Sequence, residues 1–228
     1  CTGAGIASYA YVYAQTRNGY YFETDLAEIN GNVTFENNDI AAASEGVYLY
    51  ANIEAYSWNA GSAIAEMNGD FVVRDNEVFV SGNGADGLWL EIYGTYPEAR
   101  HNGSVAIASM GDLIVQNNDV TVEGSTIGYG IYVYQDIWVE AVNSTATGEM
   151  GEILVSDNLL NLTGDSGRGI YVYVYDVYAY VENGGTATAI VNDGVNVLNN
   201  TILMVGDYCE GIDLDNNYSY AEAYYDTD

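Results

Sequence analysis

The segment Gly111-Asp-Leu-Ile-Val-Gln-Asn-Asn118 decides the fold, because four close copies of it stand elsewhere in the chain. The copies are Gly31-Asn-Val-Thr-Phe-Glu-Asn-Asn38, Gly69-Asp-Phe-Val-Val-Arg-Asp-Asn76, Gly151-Glu-Ile-Leu-Val-Ser-Asp-Asn158 and, one residue shorter, Gly194-Val-Asn-Val-Leu-Asn-Asn200. A second segment alternates with the first and opens at Gly5, Gly46, Gly87, Gly130, Gly169 and Gly211. Those glycines are 41, 41, 43, 39 and 42 residues apart. The spacing indicates a repeat of about 41 residues with a corner at each of these glycines and another at each Asn pair, and such corners tolerate insertions.

Each repeat carries the residue pattern of β-strands. After Gly130, apolar residues alternate with polar or aromatic ones through Ile131-Tyr-Val-Tyr-Gln-Asp-Ile-Trp-Val-Glu-Ala141. The inner positions recur after Gly46 as Val47, Leu49, Ala51, Ile53 and Ala55. A period of two places one set of side chains in the core and the other set outside. Helical periodicity is absent, and the single proline, Pro97, leaves the other strands uninterrupted.

Strands repeated in register predict an all-β protein, a right-handed parallel β-helix (β-solenoid) of about 5.5 coils of ~41 residues each. Residues 1–228 then form a single solenoid domain. Each repeat is either one wide coil or two short ones, and the single asparagine corner per repeat favours one wide coil. Stacking at about 4.8 Å places like residues over like residues. It predicts an internal asparagine ladder, because a short amide tolerates a left-handed corner and hydrogen-bonds to its equivalents above and below. The ladder residues are Asn38, Asn76, Asn118, Asn158 and Asn200.

The x-Val-x-Asn-Asn-x-Ile/Val pattern at every copy resembles that of parallel β-helix repeat proteins, over essentially the whole chain. With its Gly-Ile-Tyr-Val-Tyr segments at Gly130 and Gly169, its sequons and its lack of lysine, the chain most resembles the surface, sheath or adhesin-like repeat proteins of methanogenic archaea. This resemblance implies a structural protein on the cell surface.

The charge of the chain restricts its partners. It has 33 acidic residues and 4 basic ones, all arginine, for a net charge of −29. Such a charge repels nucleic acids and anionic membrane surfaces, and we expect neither as a partner. It attracts cations, so Ca²⁺ held weakly between neighbouring carboxylates is the only cofactor we expect, at no site that spacing identifies. The chain has no run of 18 apolar residues, so we predict no membrane span.

An enzyme is the less favoured interpretation of this fold. Polysaccharide lyases and glycosidases on β-helices need clustered carboxylates, usually beside a basic residue. Asp75 and Asp157 adjoin the ladder, and Asp213 and Asp215 share a strand face, but these acids recur with the repeat and form no separate cluster. One histidine, His101, is the only base for a serine or cysteine nucleophile. We therefore predict no catalytic residues and no enzyme activity.

Aromatic residues occupy the outward positions of the second segment. They predict columns of rings on one sheet, in which each stacked pair contributes about 0.5–1.5 kcal/mol. The rings can serve the stability of the solenoid itself, lateral packing against another subunit, or sugar binding, and so large an apolar face favours packing. The members of this predicted aromatic assembly face are Tyr9, Tyr11, Tyr13, Tyr48, Tyr50, Trp89, Tyr93, Tyr132, Tyr134, Trp138, Tyr171, Tyr173 and Tyr175.

Two cysteines flank equivalent corners at opposite ends of the repeat array. Cys1 and Cys209 are five coils apart, or roughly 24 Å, which is beyond disulfide reach within one chain. In a head-to-tail stack, Cys209 of one copy lies beside Cys1 of the next, which predicts an intermolecular disulfide. A lipidated Cys1 in a processed lipoprotein is the alternative.

Six Asn-x-Ser/Thr sequons indicate glycosylation and secretion, with chance in an Asn- and Thr-rich chain as the alternative. They stand at Asn32, Asn102, Asn143, Asn161, Asn199 and Asn217.

The repeat begins at once and breaks off in a sixth copy, so its strand edges are expected to seek partners. Together these features predict an extracellular structural protein that self-assembles end to end into a filament, sheath or surface layer. Additional lateral contacts would run through the aromatic face. A carbohydrate-binding adhesin is the alternative, and a polysaccharide lyase or glycosidase is the third hypothesis.

Overall fold

The computed structural model describes residues 5–16, 24–58, 61–101 and 103–224, and this part of the chain contains β-strands and no helix. The first repeat contributes β1 (Ile6–Thr16), β2 (Asp25–Ile29), β3 (Val33–Glu36) and β4 (Asp39–Ala42). The second contributes β5 (Glu45–Ser57), β6 (Ala63–Met67), β7 (Phe71–Arg74) and β8 (Glu77–Ser81). The third contributes β9 (Asp86–Ala99), β10 (Ala106–Met110), β11 (Leu113–Gln116) and β12 (Asp119–Thr126).

The later repeats follow the same order. The fourth contributes β13 (Tyr129–Val142), β14 (Thr145–Met150), β15 (Ile153–Ser156) and β16 (Leu159–Asp165). The fifth contributes β17 (Arg168–Glu182), β18 (Thr186–Val191), β19 (Val195–Leu198) and β20 (Thr201–Val205), and β21 (Glu210–Ala223) follows. The described residues therefore contain no helix that is long and apolar enough to cross a membrane.

The strands form four parallel sheets, and each repeat gives one strand to each sheet. The sheet we call the long sheet has the order β1-β5-β9-β13-β17-β21. The other three are β2-β6-β10-β14-β18, β3-β7-β11-β15-β19 and β4-β8-β12-β16-β20. In the third sheet Val115 pairs with Val73 on one side and Val155 on the other, so the unit that stacks is the whole repeat, here called a coil. The predicted all-β class, with parallel strands in stacked sheets, is confirmed.

The core lies between the sheets and is built from the inner residues of the alternating pattern. In β5, Val47, Leu49 and Ile53 are completely buried, and the strand pairs in register with β1 throughout and with β9 as far as Asn52. Each fully buried aliphatic side chain of this size contributes about 1.5–3 kcal/mol. Continuous parallel ladders and a continuous apolar column therefore support each other from coil to coil.

The left-handed backbone at the asparagine corner lies one residue before the ladder, not at the ladder residue as the sequence suggested. The residues with φ of 55–57° are Asn37, Asp75, Asn117, Asp157 and Asn199. Asn and Asp tolerate this conformation better than other side chains. The turn that they make directs the following asparagine inward. In each corner, the first residue of the pair turns the backbone and the second, an asparagine, stacks in the ladder.

The recurrent glycines from Gly5 to Gly211, which we call the glycine column, also differ from the prediction. The five from Gly46 to Gly211 are the second residues of long-sheet strands, not corners, and their φ angles are not left-handed. A Cβ built on Gly87 would overlap the carbonyl oxygen of Gly130 in the next coil and the side chain of Val120. Glycine is therefore required by the close approach of successive backbones.

The fifth copy of the first segment is not shorter than the others, contrary to the sequence alignment. Val195 pairs with Ile153 and Leu198 pairs with Ser156, so this strand keeps the full register. The change in length falls in the preceding corner, where Asp193 and Gly194 have φ of 56° and 74°. A corner absorbs an extra residue in left-handed conformations without disturbing the ladder.

Candidate functional site

The five ladder asparagines form one continuous hydrogen-bonded column. Nδ2 of Asn118 donates to Oδ1 of Asn158 over 2.9 Å, and the backbone N–H of Asn118 donates to the same oxygen over 2.9 Å. Nδ2 also donates to the carbonyl oxygen of Val73 over 2.9 Å, in the coil below. Asn76 donates to Oδ1 of Asn118 in the same two ways. Because Asn118 is only 1% exposed, its amide depends on these protein partners.

The two ends of the asparagine ladder carry complementary hydrogen-bonding groups. At the first end, Asn38 donates to Asn76, but no described residue donates to its own Oδ1. At the other end, Nδ2 of Asn200 donates to the carbonyl oxygen of Val155 over 2.8 Å. Its backbone N–H and its second amide hydrogen find no acceptor within the described residues. One end therefore presents an acceptor and the other presents two donors.

The face of the solenoid beyond β21 exposes its apolar interior. Ile212 and Leu214 point inward, yet they are 52% and 53% exposed, whereas Ile170 and Val172, their partners in β17, are buried. An open cavity of about 300 Å³ lies beside Leu214. Its other lining residues include Val172, Val174, Val191 and Val195. An apolar face of this kind is stabilised when a further coil covers it.

The structure brings the predicted aromatic residues together on the outer face of the long sheet. Ring centroids of Trp89 and Tyr132 are 4.4 Å apart, and those of Tyr93 and Tyr134 are 4.8 Å apart. Tyr9 lies 5.4 Å from Tyr48 in the next coil. These separations fall in the range of favourable ring contacts. The rings therefore reinforce the stacking of coils from outside as the core does from inside.

Carboxylates that the sequence analysis did not single out are interleaved with these rings. The Tyr48 hydroxyl donates to Oε2 of Glu91 over 3.1 Å, and the Tyr96 hydroxyl donates to Oδ2 of Asp136 over 2.6 Å. The face is thus a mixture of rings and acids, more polar than the predicted apolar patch. Further rings on the outer face or bordering it also escaped prediction: Tyr56, Tyr96, Tyr129, Tyr178, Tyr180 and Tyr220.

Burial and neighbouring carboxylates raise the pKa of several phenols on this face. Burial, together with the nearby carboxylates of Glu54 and Glu98, raises the pKa of Tyr56 to about 12. Burial and the carboxylates of Glu222 and Glu140 raise the pKa of Tyr178 to about 12 in the same way. A raised folded-state pKa stabilises the fold below the ordinary value of 10 and loses that effect as pH rises towards 12. The hydroxyls of Tyr56 and Tyr178 therefore keep their protons at neutral pH.

The described arginines are paired with carboxylates, mostly across coils. Arg74 lies 2.7 Å from Glu36, and Arg168 lies 2.9 Å from Glu210 and 4.8 Å from the ring centre of Tyr171. These groups are largely exposed, so each pair contributes about 0–1 kcal/mol. Arg17 lies outside the described residues.

Four of the six sequon asparagines have described side chains, and all four reach the surface. Asn32 and Asn199 are exposed, while Asn143 and Asn161 are partly exposed. Asn102 and the side chain of Asn217 lie outside the described part of the chain.

Of the two cysteines, Cys209 has a free, partly exposed thiol, with Sγ 3.4 Å from the carbonyl oxygen of Gly164. Cys1, its predicted partner in the next copy, lies outside the described residues. The intermolecular disulfide therefore stays a prediction.

Acidic residues are stacked on one another, but they are not gathered into a metal centre. Asp39, Glu77 and Asp119 pair in register along one sheet. Asp75 and Asp157 occupy exposed left-handed corners. Within the residues described, no group of three or more His, Cys, Asp or Glu side chains is placed to hold a metal ion.

Asp86 offers a pH-dependent test of the packing at the start of β9. It is 6% exposed, and its Oδ1 accepts the backbone N–H of Tyr129 over 2.6 Å. Burial, assisted by the repulsion of Glu45 and opposed by the hydrogen bond from Tyr129, raises the pKa of Asp86 from 3.8 to about 6. A raised carboxyl pKa stabilises the fold only below about pH 4, and that effect is lost as pH rises through 6.

We therefore expect Asp86→Asn to be more stable than wild type at pH 7 by about 1–3 kcal/mol. The amide carries no charge and keeps an oxygen for Tyr129. Thermal unfolding at pH 7 and about pH 4 measures the effect, and the advantage should nearly vanish at the lower pH. An equal difference at both pH values would contradict this account.

No family model, curated protein or solved structure matches this chain.

Proposed function

We propose that this chain is an extracellular structural protein that associates end to end with further copies of itself, forming a filament, sheath or surface layer. The single observation that carries the proposal is the uncovered strand at the end of the long sheet. β21 pairs with β17 on one side only, and its inner residues Ile212 and Leu214 are 52% and 53% exposed. In the proposed joint, β1 of the next copy pairs with the free edge of β21 and covers these side chains. Asn38 of that copy then lies two coils above Asn200, so the asparagine ladders of the two copies do not join.

The side chains of the two ends support the same arrangement. Ile6 pairs with Val47 as an inner residue of β1, so in the next copy it would cover the exposed Ile212. On the outer face, Tyr9 is 71% exposed and would stand over the column that ends at Asp215. A phenol beside a carboxylate is the pairing that the long sheet uses elsewhere. The inner and outer side chains of the long sheet therefore both continue across the joint.

The finer architecture belongs to the same proposal. We take residues 1–228 as a single right-handed solenoid of about 5.5 coils, since parallel strands of one sheet are connected right-handedly in about 98% of cases. The Cys209–Cys1 disulfide between successive copies would lock the joint, and lateral contacts would run through the aromatic face. Sequons, acidity and absent lysine support an extracellular location.

Gly211→Ala tests the proposed joint without disturbing the fold. A Cβ on Gly46, Gly87 or Gly169 would strike the carbonyl oxygen of the next glycine in the column, whereas a Cβ on Gly211 has open space around it. We expect wild type to form oligomers or filaments, measured by sedimentation velocity and electron microscopy. Gly211→Ala should weaken association at least about tenfold, because its methyl group occupies the place of the next backbone.

Two controls accompany this experiment, one for assembly and one for folding. Ser81→Ala, at an exposed position of an inner strand, should assemble like wild type. The melting temperature of dilute Gly211→Ala should equal that of dilute wild type, which separates a blocked joint from a damaged fold. A wild-type chain that stays monomeric at every concentration, or a Gly211→Ala chain that assembles normally, would contradict the proposal.

Glycan binding on the long sheet is the second candidate function. The observation that favours it is the 39% exposed ring of Trp138, whose Nε1 donates to Oε1 of Glu140 over 2.8 Å. An exposed ring beside a fixed carboxylate offers both an apolar surface and a hydrogen-bond acceptor.

A further inference from the structure

The repeat is broken at one place on the long sheet, in the second half of β9. Asn52 pairs with Tyr93, but the next residue, Ile53, pairs with Thr95, so β9 contains one extra residue. On the other side, β9 and β13 form no ladder pair between Gln135–Ile92 and Glu140–Glu98. Pro97, which has no N–H to donate, lies in this gap. Bulges that interrupt a sheet commonly re-aim side chains beside a binding site.

A groove opens on the outer face where the ladder is interrupted. It consists of two adjoining cavities of about 270 and 290 Å³ that share Glu98, Arg100 and Glu140. We call it the β9–β13 groove. The first cavity is also lined by Tyr56, Tyr96 and Trp138, and the second by Val142, Tyr180 and Glu182. Each cavity is slightly smaller than a typical small-molecule pocket, about 300–1,000 Å³, and the two together fall within that range.

The polar groups of the groove are held in place by their neighbours. Arg100 is ion-paired with Glu98, and its guanidinium lies 4.8 Å from the ring centre of Trp58. Glu140 is fixed by the indole N–H of Trp138, whose ring lies 4.5 Å from that of Tyr178. The groove thus presents fixed acceptors and a fixed donor between aromatic rings. Pre-organised groups lose little entropy when a ligand binds.

The charged side chains that line the groove restrict the class of ligand that it can bind. Three carboxylates, of Glu98, Glu140 and Glu182, stand against the single guanidinium of Arg100, so an anionic ligand is repelled. A cationic ligand would meet the guanidinium of Arg100, which lines both cavities. A neutral ligand is favoured that has apolar faces for the rings and hydroxyls that both donate and accept. Sugars have this combination.

We propose that the β9–β13 groove binds a neutral oligosaccharide, with one sugar ring in each of its two cavities. This inference rests on the second candidate function and is independent of end-to-end assembly. Trp138 and Tyr56 supply the stacking surfaces of the first cavity, and Tyr180 supplies that of the second. Glu140, between the cavities, accepts hydrogen bonds from the hydroxyls of both rings.

The test uses the full 228-residue chain, produced in a host that adds no glycans. The chain is applied to an array of neutral, acidic and amino-sugar glycans, and the neutral glycan with the strongest signal is then titrated calorimetrically. We expect binding to neutral glycans. Trp138→Ala and Glu140→Ala should each weaken it about tenfold, the effect of losing one stacked ring or one strong hydrogen bond.

Tyr50→Ala is the matched control, because it removes a ring from the same outer face but does not line the groove. It should bind like wild type, and melting curves establish that all three variants are folded. Several results would overturn the proposal: no glycan binding by folded wild type at millimolar concentration, binding confined to acidic or amino-sugar glycans, or equal binding by wild type and both groove variants. Sedimentation of the same samples reports assembly separately, so either proposal can fail while the other stands.

Discussion

Gly87→Ala is expected to destabilise the protein by more than about 4 kcal/mol, which is enough to unfold many domains. The added methyl group would overlap the carbonyl oxygen of Gly130 and Cγ1 of Val120. Val120 can turn away, but the Gly130 backbone cannot, because its strand is paired on both sides. Relief therefore requires two coils to separate, which breaks ladder hydrogen bonds and opens the core. Urea unfolding followed by far-ultraviolet circular dichroism measures the loss.

Gly211→Ala is the matched control, since it makes the same substitution in the same column where no atom of the described residues lies within 4 Å of the added Cβ. We expect its free energy of unfolding to stay within about 0.5 kcal/mol of wild type in dilute solution. If Gly87→Ala and Gly211→Ala were equally stable, the close approach of successive coils would not be the reason for the glycine column.

Asn118→Ala is expected to cost about 3–5 kcal/mol, the second largest effect. The substitution removes four hydrogen bonds, two accepted from Asn76 and two donated to Val73 and Asn158. It removes one hydrogen bond from the carbonyl oxygen of Val73 and leaves two donors of Asn76 buried without their acceptor, and each such group costs about 1–3 kcal/mol. Thermal and urea unfolding should both report the loss.

The neighbouring residue provides the control. Asn117 is exposed and has a φ of 55°, so Asn117→Gly keeps the left-handed turn and should change stability by less than about 0.5 kcal/mol. Asn38→Ala should fall between the two, because Asn38 has a coil on one side only in the isolated chain. A loss below about 1 kcal/mol for Asn118→Ala would mean that water replaces the ladder amide.

The sequence predicted the fold well because stacking makes the structure repeat where the sequence repeats. Val47, Leu49 and Ile53 follow from alternation alone, and the ladder residues follow from their constant place in each copy. The roles within the corner did not follow, because Asn117 and Asn118 are the same residue type. Only the backbone dihedral angles distinguish the residue that turns from the residue that stacks.

The groove could not be predicted because its position depends on a break in the alternation. The extra residue in β9 exchanges the inward and outward positions of all later residues in the strand. Tyr96 and Glu98 therefore face outward, although alternation counted from Leu88 places them inside. A second irregularity in β17 does the same for Tyr178 and Tyr180. The signal that could have revealed it was Pro97, since proline is rare in an inner strand.

The hydrogen bonds of the ladder span only 38 to 45 residues of sequence, so each repeat touches the one before it and the one after it. A repeat can therefore be duplicated or deleted with only two neighbours needing to match. The molecule would lengthen or shorten by about 4.8 Å per copy while its cross-section stayed constant. The length of such a solenoid is therefore set by the number of its repeats alone.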